Sequence, residues 1–146
     1  MCRANGHFVR FYSVAQHSIN CADEAKAREL SVRIQLACLL HEGSEAYLSD
    51  ITRPVKEHLP NYKKIEKRLQ DTIYEKFIGS VLIEDEITHV DQIDGDMLVC
   101  EFNALMKKKV FDFVPNMRNN PRFDFYGFAE VEKEFTDLYR RLEKYF

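Results

Sequence analysis

Apolar residues recur every three or four positions along most of the chain, which is the spacing that places them on one face of an α-helix. A first helix is predicted from Ser13 or Val14 to about Ala27, and Ser13 is a suitable N-cap. Its inner side is predicted to consist of Val14, Ile19, Ala22 and Ala25.

The same periodicity continues through the rest of the sequence. Further helices are predicted over residues 31–41, 44–50, 62–77, 85–107 and 128–145. The helix over 62–77 carries Ile65, Leu69, Ile73 and Phe77 at intervals of four, and the inner side of the helix over 85–107 is predicted to include Ile87, Val90, Ile93, Met97, Leu98, Leu105 and Met106.

Two segments lack this helical pattern. Residues 50–61 contain Pro54 and Pro60 and predict a structured loop with one helical turn. Residues 110–126 are rich in aromatic residues, Asn and Pro and predict an irregular connection. No segment alternates long enough to define a sheet, so the sequence predicts an all-α fold.

Length and charge narrow the class of protein. The 146 residues suit one domain covering 1–146, and a chain of this size buries roughly 70% of its unfolded surface. The formal net charge of −3 gives no field that would attract a nucleic acid polymer or a membrane surface. The chain opens without the apolar run of a signal peptide, and no stretch approaches the ~20 apolar residues of a membrane span, so we expect a cytoplasmic protein.

The four cysteines form no C-x-x-C pair, which argues against a zinc ribbon or a redox motif. Cys21, Cys38 and Cys100 lie among apolar residues, where a reduced thiol behaves as a small buried hydrophobic group.

Three segments place imidazoles or carboxylates inside apolar helical patterns. They are SVAQHS at 13–18, LLHEGSEAYLSDITRPVK at 39–56 and IDGDMLVCEFNALM at 93–106. A carboxylate on an inward face is costly unless it is paired or ligated. His17, His41, Glu42 and Asp94 together suit a divalent ion. Taken singly, each histidine is equally a hydrogen-bonded core residue, and periodicity does not choose Asp94 over Asp91 or Asp96.

Taken together, the three segments resemble the HD-domain phosphohydrolases, most closely their YfbR-like branch of 5′-deoxynucleotidases. The resemblance covers about residues 3–106 and implies an HD-type helical bundle. It implies that His17, His41, Glu42 and Asp94 bind a divalent metal ion such as Mn²⁺, Co²⁺ or Mg²⁺. The seven-residue step from Asp94 to Glu101 matches the spacing of the family and favours this aspartate.

The resemblance also assigns residues to the reaction. Glu45 corresponds to the acid that handles the attacking water, and Asp50 to a second acidic position near sugar and phosphate. Arg3 corresponds to an arginine that contacts the substrate phosphate. Arg53 and Lys56 would offset phosphate charge.

Each of these helper residues has a structural alternative. Glu45 can complement a helix dipole, Asp50 can cap a turn, and the two loop cations can be solvated charges. His7, His58 and His89 have no counterpart as ligands and are interpreted as surface or loop residues.

The predicted function is removal of phosphate from deoxynucleoside or nucleoside 5′-monophosphates. The expected partner is therefore a small-molecule nucleotide. The family resemblance also implies a homodimer. Glu42 departs from the family, which has aspartate there. Two alternatives therefore stay open. One is an HD-fold hydrolase of another phosphorylated metabolite, and the other is a catalytically impaired helical binding protein.

Overall fold

Helices make up the regular structure of the chain in the computed structural model, which describes residues 1–146. Two 3₁₀ turns, Arg3–Gly6 and Glu143–Tyr145, lie near the chain ends. A single antiparallel bridge joins Cys2 to Ser13, and there are no strands. The predicted all-α fold is confirmed. The α-helices are α1 (Val14–Ala27), α2 (Val32–Leu40), α3 (Glu45–Leu48), α4 (Arg53–Lys56), α5 (Pro60–Ile78), α6 (Glu84–Leu105) and α7 (Phe128–Leu142).

The central element is α2, because it is apolar on almost every side. Ile34 and all five residues from Leu36 to Leu40 are buried. Around it pack α1, α5, α6 and α7, and α1 makes the most extensive contact. The residue that follows α2 therefore emerges from the middle of the core, and that residue is His41.

The predicted helix signals act where the sequence places them. Ser13 caps α1 through a reciprocal pair, in which its hydroxyl accepts from the Gln16 N–H at 3.0 Å and its own N–H donates to the Gln16 side chain. Helix α5 instead begins at Pro60, before the predicted start at residue 62, since proline is suited to the first helical position. Gly79 follows its last residue, Ile78, with a φ of 89°, the left-handed conformation that glycine tolerates.

The predicted inner faces of the two long helices are partly wrong. In α5, Ile73 is buried and Leu69 half-buried, whereas Ile65 and Phe77 are exposed. At 3.6 residues per turn a step of four drifts by about 40°, so three such steps leave one face of the helix. Ile87, in the first turn of α6, is also exposed.

The N-terminal segment is tied to the body of the protein by its backbone. The Arg3 N–H donates to the Tyr12 carbonyl at 2.8 Å, and the Val9 N–H donates to the Leu105 carbonyl at 2.9 Å. Ala4 and Asn5 have positive φ angles of 53° and 49°, which turn the chain back directly after Arg3. These contacts hold Arg3 against α6.

The irregular connection between α6 and α7 is held by a buried carboxylate of α1. Glu24 is fully buried and accepts the backbone N–H groups of Arg118 and Asn119 at 3.0 and 2.8 Å. Its remaining contact is with the Arg28 guanidinium at 2.7 Å. None of the helices is both long enough and apolar enough to cross a bilayer.

Candidate metal centre

Three helices that pack against one another, α1, α2 and α6, bring four of the predicted residues together. His17 lies on α1, His41 and Glu42 follow α2 directly, and Asp94 lies on α6. One donor atom from each of these side chains lies within 4.8 Å of all the others. This convergence depends on the mutual packing of α1, α2 and α6, since the four residues are separated by up to 77 positions (94 minus 17) in the sequence.

The spacing of the donor atoms fits ligands around one ion. The two Nε2 atoms of His17 and His41 are 3.1 Å apart, and Oδ1 of Asp94 lies 3.1 and 3.6 Å from them. Oε1 of Glu42 lies 3.9 and 3.8 Å from the same two nitrogens. Bonds of about 2.0–2.2 Å in tetrahedral geometry separate neighbouring donors by about 3.3 Å. The donor set, two imidazoles and two carboxylates, suits a borderline divalent ion.

The hydrogen bonds made by Nδ1 of each imidazole direct both Nε2 atoms into the cluster. Nδ1 of His41 lies 2.6 Å from the Cys38 carbonyl, which can only accept, so that nitrogen carries a hydrogen. Nδ1 of His17 lies 2.5 Å from the Glu101 carboxylate and donates in the same way. In the neutral rings both Nε2 lone pairs then face each other across 3.1 Å, an arrangement that favours a cation between them.

The electrostatics of the cluster favour positive charge at this point. Burial opposes the charged form of His17, but its acidic neighbours, the Glu101 carboxylate among them, outweigh burial and raise its pKa well above the ordinary value. Burial likewise opposes the charged form of Asp94, and hydrogen bonds with the two imidazoles hold the pKa of Asp94 below its usual range. For Glu42, attraction to His41 and Arg3 overcomes burial and lowers its pKa to about 2.

Arg3 is part of the wall of this cluster. It is 7% exposed, and its guanidinium donates to Glu42 at 2.7 Å and to Asp94 and Glu101 at 3.3 Å each. Each carboxylate oxygen has more than one lone pair. Glu42 and Asp94 can therefore accept hydrogen bonds from Arg3 and still coordinate a metal ion. The predicted phosphate-contacting arginine therefore lies beside the four candidate ligands.

Cys21 also reaches the cluster, beyond the apolar role predicted for it. Its Sγ lies 3.6 and 4.0 Å from the two ring nitrogens of His17, so the thiol rests against the imidazole. Cys21, His17 and His41 form a second group with donor atoms within 4.8 Å. Burial raises the pKa of the Cys21 thiol, which keeps it neutral.

The cluster lies at one wall of a cavity of about 660 Å³ that contains the other predicted site residues. Asp50, Arg53 and Lys56 line it together with Arg3 and Glu45. Arg53 is exposed, and it makes no ion pair within the chain. The Lys56 ammonium already pairs with Glu66 at 2.6 Å, so it is the less available of the two loop cations.

Sequence reasoning missed two features of the site. One is the contact of Glu101 with His17: Glu101 entered the sequence analysis only through its spacing from Asp94, and it is fully buried and bonded to His17. The signal was an acid four positions after Met97 and four before Leu105, in an apolar stripe. The other is an apolar wall of this cavity, formed by Leu98, Phe102, Met106 and Phe111.

Glu45, the first residue of α3, is a buried acid without a complete set of partners. It is 2% exposed, and its Oε2 has no hydrogen-bond partner within the protein. Burial, followed by repulsion from Glu42 and Asp50, raises the pKa of Glu45 to about 9. Two neighbouring acids thus differ widely in pKa, which is the pattern expected where one carboxyl carries charge and the other handles a proton.

This shift predicts a pH dependence of stability in the metal-free chain. The folded pKa of Glu45, about 9, exceeds its ordinary value of 4.5, so folding favours the protonated form. The resulting stabilisation is full below pH 4.5 and is lost as the pH rises toward 9. Glu45→Gln removes this titration. Urea unfolding of chelator-treated protein at several pH values is expected to show a shallower decline for Glu45→Gln than for the wild type, and equal declines would contradict the shift.

Comparison with known proteins yields one significant similarity. The chain is 33% identical over 93 residues to "Uncharacterized protein YfdR" of Escherichia coli (strain K12). The chain is a distant relative of YfdR. The match covers 64% of the chain and 49% of YfdR, so the chain spans about half the length of the curated relative it matches. No family model and no solved structure matches the chain.

Proposed function

We propose that the chain is a metal-dependent phosphohydrolase of the HD-domain type that removes phosphate from deoxynucleoside or nucleoside 5′-monophosphates. The observation that carries the proposal is the convergence of two imidazole Nε2 atoms and two carboxylates at the wall of a cavity. His17, His41, Glu42 and Asp94 would hold the ion. A bound divalent ion would supply a water of lowered pKa and offset charge on a phosphate oxygen.

Glu45 is the proposed proton-handling residue. Its buried carboxyl faces the same cavity as the candidate ligands and has an oxygen without a protein partner, so it can accept a proton from water. Its pKa of about 9 describes the metal-free chain. A nearby cation favours the carboxylate, which is the form that orients or deprotonates the water attacking phosphorus.

The positively charged side chains that line the cavity are suited to binding the phosphate group of the substrate. Arg53 is exposed at the cavity and unpaired within the chain, so its planar guanidinium can bind two phosphate oxygens together. Arg3 and Lys56 lie on the same cavity, although their present partners are carboxylates. Asp50, half-buried beside them, is placed to accept a hydrogen bond from a sugar hydroxyl.

The apolar wall supports a nucleotide over a simple sugar phosphate. Leu98, Phe102, Met106 and Phe111 present aromatic and aliphatic surface to the same cavity that Arg53 lines. The flat face of a nucleobase can stack on such a surface, whereas a hydroxyl-rich sugar would lose hydrogen bonds to water there. The balanced reaction is a nucleoside monophosphate plus water giving a nucleoside plus phosphate, with cleavage of the phosphoester bond.

Release of inorganic phosphate from a substrate panel tests the proposal. With Mn²⁺, Co²⁺ or Mg²⁺ added, we expect nucleoside and deoxynucleoside monophosphates to be hydrolysed faster than hexose phosphates by at least about tenfold, the scale of 1.4 kcal/mol. Faster release from hexose phosphates would favour a hydrolase of another phosphorylated metabolite. Metal binding without release from any compound would favour the binding protein, with Glu42 in place of aspartate as its cause.

A further inference from the structure

Glu101 is a fully buried acid whose two oxygens are both committed. Oε1 lies 2.5 Å from Nδ1 of His17, and Oε2 accepts from Nε of Arg3 at 3.3 Å. The carboxylate therefore links an imidazole of α1 to the N-terminal arginine from its place on α6. No other acid of the chain touches Nδ1 of His17.

The bond to Nδ1 determines what the other side of the ring presents. A carboxylate accepts hydrogen bonds, so Nδ1 of His17 carries the hydrogen and Nε2 keeps its lone pair. The bond also prevents rotation of the ring, and Nε2 therefore remains directed at His41 and Asp94, 3.1 Å away in each case. Without Glu101 either nitrogen of His17 could carry the hydrogen.

Packing alone gives no reason for an acid at this position. The residues four before and four after Glu101 on α6 are Met97 and Leu105, and both are fully buried. An apolar side chain would continue that stripe without the cost of burying a carboxylate. The presence of an acid is instead explained by its hydrogen bonds with the ring of His17 and the guanidinium of Arg3.

We infer that Glu101 is a positioning residue for the metal centre, which fixes the tautomer and the orientation of His17 so that Nε2 faces the ion. Metal-binding histidines commonly donate their second ring N–H to a carboxylate or carbonyl, and loss of that partner typically weakens metal binding 10- to 100-fold. This inference rests on the proposed function, because it requires His17 to be a metal ligand.

The chain offers a matched control for the experiment. Glu24 is the other fully buried glutamate on the helices of the core, and it holds Arg28 and the loop backbone at 118–119 without contacting the cluster. Glu24→Gln therefore perturbs a buried carboxylate of equal burial elsewhere. Glu101→Gln keeps the side-chain shape, which preserves the test if Glu101→Ala fails to fold.

Two measurements separate positioning from a merely structural role. Co²⁺ affinity, measured by competition with a chelator, is expected to fall about tenfold in Glu101→Gln and about 100-fold in Glu101→Ala, and to stay within about twofold in Glu24→Gln. In metal-free protein, at a pH high enough for the imidazole to be neutral, ¹⁵N NMR is expected to show the Nδ1–H form of His17 in the wild type and in Glu24→Gln. Glu101→Ala is expected to shift these ¹⁵N signals toward a mixture of the two tautomers.

The outcomes distinguish this inference from the proposed function. Co²⁺ bound equally by the wild type and both Glu101 variants would overturn the inference and leave the metal centre intact. A loss of affinity as large in Glu24→Gln would also overturn it, because the effect would then follow from destabilisation. A wild-type chain that binds no Co²⁺ would overturn both.

Discussion

Asp94→Asn is expected to lower the affinity of the chain for Co²⁺ or Mn²⁺ by more than about 100-fold, which exceeds the usual effect of losing an indirect partner. Oδ1 of Asp94 is the carboxylate oxygen nearest to both imidazole nitrogens, at 3.1 and 3.6 Å. The amide removes the negative charge, and it exchanges one acceptor oxygen for a donor NH₂ group that repels a cation. Phosphate release is expected to be lost together with the ion.

The same helix supplies the control for this variant. Asp91 lies one turn before Asp94 on α6, is exposed, and is not part of the metal-capable group. Asp91→Asn changes the charge of the helix equally and is expected to alter metal affinity by less than about threefold, since an exposed charge is well screened. Isothermal titration of chelator-treated proteins compares the two. Wild-type affinity in Asp94→Asn would refute the assignment of this residue as a ligand.

His41→Ala extends the same prediction to the second helix of the site. The ring of His41 is held by the Cys38 carbonyl on the side away from the cluster, so its loss removes a donor that is already oriented. His89, partly exposed on α6 and 3.8 Å from Asp85, provides the matched His89→Ala control. Activity retained in His41→Ala would contradict the proposed centre, and activity lost in His89→Ala would indicate a general effect on folding.

The helices of this protein are predictable because their signals are local. The cap at Ser13 and Gly79 after the end of α5 both act through neighbours within a few residues. Which face of each helix is buried is less predictable. Residues spaced four apart drift around the helix, and only the tertiary packing decides which of them are still buried. Ile65 and Phe77 mark those two limits on α5.

The site is predictable only in part, for the same reason. Periodicity leaves Asp91, Asp94 and Asp96 equivalent, and packing separates them: Asp94 turns toward the imidazoles, Asp96 pairs with Arg28 at 2.7 Å, and Asp91 stays exposed. The resemblance to HD-domain proteins, through the seven-residue step from Asp94 to Glu101, singled out Asp94 where helical periodicity did not. Its role as a metal ligand stays a prediction.

The partners of Arg3 could not be read from the sequence. Its three carboxylate contacts depend on backbone hydrogen bonds between the first residues and Tyr12, and on the positive φ angles of Ala4 and Asn5. Asn5-Gly6 is a sequence signal for a turn, but the positive φ of Ala4 has no such signal, and neither residue indicates which carboxylates Arg3 will contact. Long-range pairs of this kind require the folded structure.

Glu45→Gln is expected to lower kcat by about 10²–10⁴-fold, the usual contribution of a general acid or base, while metal affinity changes by less than about threefold. Glu45 is not one of the four grouped donors, so the ion should bind without it. The amide keeps the size of the side chain, but it cannot take a proton from water. The variant therefore separates proton handling from metal binding, which Asp94→Asn cannot do.

This last prediction is tested by measuring kcat separately from KM and from metal affinity. KM for a nucleoside monophosphate is expected to change little, because the cavity cations and the apolar wall are untouched. Glu57, exposed just after α4, gives a Glu57→Gln control with unchanged kcat. If Glu45→Gln instead lost metal affinity in proportion to kcat, Glu45 would act as a ligand or as a support for Glu42. If kcat were unchanged, the water would be activated by the ion alone, and the high pKa of Glu45 would reflect only its burial beside two other acids.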